Sequence, residues 1–272
     1  MNQDREPLPS RVEDLPPLPP EALLSLDEGL SALNLGDLPG SVRAGLIDHL
    51  RLLLAWNRSI NLSAIRDAGA AVREHILDSL TAIELLRERG VDALLDLGSG
   101  GGYPGLPLAI ALPARRTLLV ESVGKKSAFL AAAAAVLTGD GPIRHAEIDV
   151  FNGRAETLAA DRRHRERWPA VLARAIAPMP ELAELSLPLV ARGGVLVAWK
   201  RRPLDAELEA ARPALDLLGG GAPVIVPVTL AGLDDHVLVV VEKVASSPAG
   251  YPRDPAQRRR QLLSGGERLP SP

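Results

Sequence analysis

The sequence predicts an α/β protein in which five parallel strands are closed by a C-terminal antiparallel hairpin and preceded by a helical cap. Three observations predict it. From residue 93 onward, short β-rich apolar runs alternate with helical stretches, the pattern of a parallel sheet covered on both faces. The last two apolar runs, "PVIVPVTL" and "HVLVVVEKV", are separated only by "AGLDD", which is too short for a parallel crossover and therefore joins a hairpin. Before residue 93 the apolar residues recur at helical spacing instead.

In chain order, residues 1–24 are rich in proline and acids, bury little, and are expected to form a disordered arm. Residues 25–92 form the cap. In "SVRAGLIDHLRLLLAWN", Val42, Leu46, His49, Leu50, Leu53 and Leu54 share a helix face; in "DAGAAVREHILDSLTAIELLRERG", Val72, Ile76, Leu80 and Ile83 do, with Gly90 as the stop. Residues 93–245 form the main domain, with "ALLDLG", "TLLVE", "HAEIDV", "AVLARA" and "GVLVAWK" as its parallel strands. The expected helices between them are 105–112, "KKSAFLAAAAAVL", a short one near 155–160, and "PELAELSLPLV"; "LDAELEAARPALDLL" precedes the hairpin. A dinucleotide-binding fold would continue with a sixth parallel strand, so the hairpin points to a Rossmann-like sheet of the class I methyltransferase type. Residues 246–272 read as a basic, flexible tail.

Composition narrows the chemistry. At 272 residues and 46% hydrophobic, the chain buries a substantial core. It has no cysteine, which removes disulfides, thiolate nucleophiles and Cys-ligated zinc. Its histidines, His49, His75, His145, His164 and His236, are scattered without metal-ligand spacing, so no metal is expected. The first 20 residues lack the basic and apolar regions of a secretory signal, and the longest apolar run, 128–137, is about half a membrane span. A cytoplasmic location is expected. The net charge of −3 conceals an uneven distribution: residues 1–37 hold eight acids and two arginines, leaving 29 basic and 26 acidic residues beyond. Bulk charge neither demands nor excludes an RNA partner.

The stretch "LLDLGSGGGYPGLP", 94–107, follows the first strand and precedes a helix, where α/β sheets hold their ligands. Gly98, Gly100 and Gly102 permit positive φ and close approach of a ligand. The dinucleotide pattern GxGxxG fails from Gly98, at Tyr103, and succeeds from Gly100, with Gly105; a single match of this kind is weak. Asp96 discriminates better. Its carboxylate would repel a pyrophosphate but suits S-adenosylmethionine, which presents an ammonium and a sulfonium. Glu121, ending the second strand, is placed to accept from ribose hydroxyls, as in NAD and S-adenosylmethionine sites alike. A phosphate-binding P-loop fails, because "VGKKS" lacks the earlier glycine.

The acceptor is read from absences. Pyrimidine carbon-5 methylation uses a cysteine, which this chain lacks. Exocyclic-amine methylation uses an Asn/Asp-Pro-Pro-aromatic motif after the fourth strand, where this chain has "ARAIAPMP" and Arg174. Ribose 2′-hydroxyl methylation recruits lysines and an aspartate; Lys200 and Glu242 are available, yet no Asp lies beside Arg174 in sequence.

Seven motifs in order, "WNRSINLSAIRD", "REHILDSL", "LLDLGSGGGYPGLPLAI", "ESVGKKSAFL", "NGRAETL", "ARAIAPM" and "AWK", resemble the bacterial glucose-inhibited division protein B family across about residues 40–245. "YPR" in the tail is similar to the family's ending. The resemblance implies an S-adenosylmethionine-dependent enzyme acting on guanine N7 of small-subunit ribosomal RNA, free or in the 30S particle. It also implies Gly98, Tyr103, Ala155, Glu156 and Arg174 at the cofactor; Asp96, Gly100 and Glu121 come from the strand pattern. Arg174 and Lys200 are expected to position the reactants. Ribose or small-molecule methylation, and a non-catalytic RNA-binding module on the same fold, remain the alternatives.

Basic clusters at Lys200, Arg201 and Arg202 and at Arg258, Arg259 and Arg260 are candidates for RNA phosphates. "DRRHRERW", 161–168, is balanced between RNA contact and a solvated face. Trp56, Trp168 and Trp199 are expected to pack rather than stack on bases. Glu74, His75 and Asp78, one helical turn apart in "EHILD", read as a helix-face network.

Overall fold

The computed structural model describes residues 8–9, 11–112, 116–138, 141, 147–261 and 263. Seven strands form one sheet in the order β3-β2-β1-β4-β5-β7-β6. They are β1 (Ala93–Leu97), β2 (Arg116–Glu121), β3 (Glu147–Asn152), β4 (Trp168–Arg174), β5 (Val190–Arg201), β6 (Val224–Pro227) and β7 (His236–Glu242). The first five pair in parallel, and β7 runs antiparallel to both β5 and β6, as the short "AGLDD" connection requires. The expected third strand began at His145, which lies outside the described residues.

Alternation along the strands sorts side chains between two cores. Leu94, Leu119, Leu172, Val197 and Val240 face one side, while Leu95, Val120, Val171, Leu196 and Val239 face the other. The first side carries α6 (Gly105–Ala111) and α7 (Gly124–Thr138) together with the cap: α1 (Pro20–Ala32), α2 (Gly40–Trp56), α3 (Ala68–Ala71), α4 (Asp78–Leu80) and α5 (Ile83–Glu88). Leu26, Leu50 and Ile76 of the cap share one continuous core with Leu119 and Phe129. The second side carries α8 (Ala155–Ala160), α9 (Met179–Ser186) and α10 (Asp205–Leu218). No helix among the described residues is long and apolar enough to cross a membrane.

The structure differs from the sequence reading at three places. The long cap helix expected over 67–90 is interrupted: α3 and α4 are joined by a π-helical turn, Val72–Leu77, and α5 is separate. Helix α1 starts at Pro20, inside the expected arm, and Arg51 of α2 donates to the carbonyls of Val12, Leu15 and Pro16 just before it. Proline-rich backbone is thus held by a side chain that sequence pattern cannot assign to it.

The third difference is the tail, which is anchored across the described residues. Arg165 donates to the carbonyls of Ser247, Pro248 and Tyr251, so part of "DRRHRERW" holds the start of the tail rather than forming a solvated face. Arg253 forms a two-pronged pair with Glu184, at 2.9 and 2.6 Å. Arg258, on α11 (Pro255–Arg260), is 5% exposed and pairs with Glu156 at 2.5 Å and Glu181 at 3.4 Å. Arg258 is therefore not a phosphate contact; Arg259 and Arg260 remain exposed on the same short helix. Removing Arg258 leaves Glu156 without its cation, so Arg258→Ala should cost about 2 kcal/mol in urea denaturation, while Arg259→Ala and Arg260→Ala leave stability unchanged.

Candidate active site

Strand β1 pairs with β2 on one side and β4 on the other, so the chain changes direction across the sheet at the end of β1. A crevice opens at such a point, and the glycine loop fills it. Asp96 is fully buried. Its Oδ2 accepts from the Gly105 N–H at 3.1 Å, tying loop to helix α6, while Oδ1 has no partner among the described residues. Burial pushes its pKa up to about 7. Glu121 is 6% exposed, with Oε2 accepting from Gly100 N–H at 3.1 Å and Oε1 from Val123 N–H at 2.8 Å. One carboxylate thereby fixes both the loop and the entry to α7.

Gly100 has φ +55°, and a Cβ there would meet nothing closer than the Gly98 carbonyl at 3.8 Å. The bare backbone faces open space. From the cap side, His49 Nε2 donates to the Gly101 carbonyl at 2.8 Å. Tyr103 is stacked between His49 and His75, at 4.5 and 4.7 Å between ring centres. Its ring belongs to the cap interface.

Beyond the loop, a cavity of about 900 Å³ opens over the ends of β4 and β5. The parallel register sets Arg174 beside Trp199, and the antiparallel register sets Arg201 beside His236. Arg174 is held on several sides: it donates to the Glu74 carbonyl at 2.8 Å and Asp78 Oδ2 at 3.0 Å, and its guanidinium lies 5.5 Å from the Tyr103 ring centre. Asp78 Oδ1 accepts from His236 Nδ1 at 2.8 Å, and the Asp78 carbonyl accepts from the Trp199 indole at the same distance. His75 Nε2 meets Ser63 Oγ at 2.6 Å. Burial, with the Arg174 charge nearby, pushes His75 down to about 4, so its imidazole is neutral near pH 7. Ala175, directly after Arg174, sits at φ +54°, a strained position that turns the chain sharply at the cavity edge. Ile176 then packs against the glycine loop, 3.1 Å from where a Gly98 Cβ would lie.

Several sequence expectations converge here: Asp96, Gly98, Gly100 and Glu121 on the loop side, Arg174 and Lys200 on the cavity side. Lys200 departs from its expected roles as phosphate contact and reactant-positioning residue. Its Nζ donates to the Ala177 carbonyl at 2.8 Å and pairs with Glu207 at 2.6 Å, so it braces the 175–178 loop. Ala155 and Glu156 open α8, and Glu156 is paired with Arg258. Arg201 is 61% exposed over its side chain and lies 3.8 Å from Glu74; Arg202 is exposed beside it. No local pattern in the sequence marks His236 or the cavity-facing role of Glu74, His75 and Asp78. The "EHILD" spacing was visible, but its partners lie 96 to 158 residues away.

The loop passes a test for S-adenosylmethionine. A Cβ-sized space lies open at Gly100, a buried carboxylate oxygen of Asp96 has no partner, and Glu121 stands at the end of the adjacent strand. With the hairpin-closed strand order, these define a class I S-adenosylmethionine-dependent methyltransferase. The rRNA small subunit methyltransferase G family model matches residues 43–232, and the chain belongs to that family. A ribosomal RNA small subunit methyltransferase G from Roseiflexus sp. is 44% identical over 201 residues, covering 74% of this chain and 83% of the relative. The Dehalococcoides mccartyi protein of the same name is 37% identical over 227 residues, covering 83% and 93%. Among solved structures, a predicted O-methyltransferase from Agrobacterium tumefaciens shows 20% identity, with TM-score 0.46 over 62% of this chain and 82% of that one.

Adding a methyl at Gly100 should encroach on the cofactor. Gly100→Ala is expected to lower S-adenosylmethionine affinity at least about tenfold by calorimetry, while the left-handed φ costs stability only about 1 kcal/mol.

Buried histidines also set an acid limit. His49 and His75, both lowered to about 4 by burial, bind fewer protons folded than unfolded between pH 4 and 6.5, so their contribution to stability is lost as pH falls through that window. Asp96, raised to about 7, acts oppositely between its unfolded value and pH 7, losing stability as pH rises. Two groups oppose one, so the three together make the fold weaker in acid. His49→Gln should reduce the slope of stability against pH by about one proton between pH 4 and 6.5, measured by denaturant titration at several pH values.

Proposed function

We propose that this chain transfers a methyl group to N7 of a guanine in small-subunit ribosomal RNA, presented free or in the 30S particle in the cytoplasm. The observation that carries this reading is the state of the acids around the cavity. Glu74, Asp78, Glu181 and Glu207 all line it, and each is paired with a cation: Arg201, Arg174, Arg258 and Lys200 respectively. Carboxylates so committed are poor general bases. Guanine N7 carries an in-plane lone pair and no proton, so it needs none.

S-adenosylmethionine, when bound, supplies an electrophilic methyl on a sulfonium. The chain's own work is then placement. Asp96 and Glu121 hold the loop in the shape that receives the cofactor, and Gly100 leaves room for it. Arg174, its guanidinium fixed by Asp78 and the Glu74 carbonyl, orients the base from the far side. The Ala175 turn and Ile176 separate the two sites while keeping them adjacent, and Trp199 contributes an apolar wall that excludes water.

A second reading has one observation in its favour. His236 donates Nδ1 to Asp78, the arrangement of a carboxylate-supported base, which would serve a ribose hydroxyl.

The two readings separate on proton demand. Under the N7 reading, single-turnover rates at saturating cofactor stay nearly constant from about pH 6.5 to 8.5, and 7-deazaguanine at the target abolishes transfer while RNA binding persists. A rate climbing tenfold per pH unit, or methylation of the 7-deaza RNA, would transfer the assignment to the ribose.

A further inference from the structure

A second concavity, of about 460 Å³, lies between the loop after α2 and the first turn of α7. Arg58, Arg66, Lys125 and Lys126 stand in its wall, and no acid does. Among the described residues none of the four has an ion pair or side-chain hydrogen bond. This sets them apart from Lys200, Arg253 and Arg258, each matched to a glutamate. Two acids close in sequence to the wall are otherwise engaged: Glu121 accepts from Gly100 and Val123, and Asp67 caps α3 by accepting from Ala70 N–H at 2.7 Å. Four uncompensated cations around one hollow repel one another and focus a positive potential in a chain of net charge −3.

The hollow is preformed. Asn57, 4% exposed, accepts from the N–H groups of Leu62 and Ser63 at 2.9 and 3.0 Å and donates to the Ser63 carbonyl at 2.8 Å. Those bonds shape the loop that presents Arg58. On the other wall, the N–H groups of Lys126 and Ser127 bond to the Val123 carbonyl, and Val123 is itself held by Glu121. Consecutive residues of one loop reach the two concavities, Ile65 lining the cavity and Arg66 the hollow.

We propose that Arg58, Arg66, Lys125 and Lys126 form a track for the backbone phosphates of the RNA strand flanking the target nucleotide. A base seated in the cavity brings its own phosphodiester past Ile65 to Arg66, and the strand continues over Arg58 and the two lysines. This rests on the reading of the cavity as an RNA acceptor site. The track acts on holding the strand, whereas Arg174 acts on the base.

Full-length variants Arg58→Gln/Arg66→Gln, Lys125→Gln/Lys126→Gln and the four combined test it, with Arg201→Ala/Arg202→Ala for comparison. Binding of a labelled, protein-free 16S rRNA fragment is measured against salt, and methyl transfer to unmethylated 30S particles is measured in parallel. Each lost contact should lower the salt slope by about 0.7, so the fourfold variant loses about 2 to 3 units of slope. Its KM for RNA should rise at least about tenfold near physiological salt, with melting temperature, S-adenosylmethionine affinity and kcat at saturating RNA unchanged. A fourfold variant with wild-type slope and KM overturns the track. Loss of affinity for particles alone, with the naked fragment bound normally, also overturns it and assigns the surface to an acidic ribosomal protein. Absence of methyl transfer by the wild type would count against the proposed reaction, and the fragment-binding slopes would still decide the track.

Discussion

Asp78 is buried to 2% exposure, and its carboxylate satisfies two cationic or hydrogen-bonding partners that arrive from distant strands. Arg174 comes from the end of β4 and His236 from the start of β7, while the main-chain carbonyl of Asp78 receives the Trp199 indole from β5. A charge removed from water this thoroughly must be paired, and removing one partner of such a pair is far costlier than never having built it. The cap and three strands are consequently locked into one relative placement. Arg174, which lines the cavity, owes its orientation to that lock.

The π-helical turn makes the lock geometrically available. A wider turn at Val72–Leu77 changes the angular spacing of the side chains that follow. The result is that the Glu74 carbonyl, the His75 ring and the Asp78 carboxylate all address Arg174. The same segment connects to the cofactor side, since His75 stacks on Tyr103 and Tyr103 on His49, whose Nε2 holds the Gly101 carbonyl. Cap, glycine loop and cavity thus share one contiguous set of buried contacts. The helical cap contributes Ile65, Glu74, His75 and Asp78 to the cavity wall.

Basic residues divide by partner rather than by sequence neighbourhood. Within "KRR" at 200–202, Lys200 braces a loop through Glu207 while Arg201 and Arg202 stay exposed. Within "RRR" at 258–260, Arg258 is buried between two glutamates and its neighbours are not. Alternate residues of a strand, and residues on different faces of a helix, meet different surroundings. A run of like charges in a sequence is therefore a mixture of structural and free cations.

Much of the fold was legible because its causes are local. The β-rich runs with helices between them, the "AGLDD" connection too short for a crossover, and the glycines after β1 each express a constraint acting over a few residues. The placement of Asp96, Gly100 and Glu121 on or beside the glycine loop was legible for the same reason, following from where β1 and β2 end. The pairing of Asp78 with Arg174 and His236, the return of Arg258 to Glu156, and the Arg51 hold on the proline-rich segment join residues 35 to 158 positions apart. By itself the sequence determined the five parallel strands, the closing hairpin and the place of the glycine loop after β1. Only the tertiary structure decided which charges neutralise one another, because that depends on which side chains are brought out of water together, and no local pattern records it.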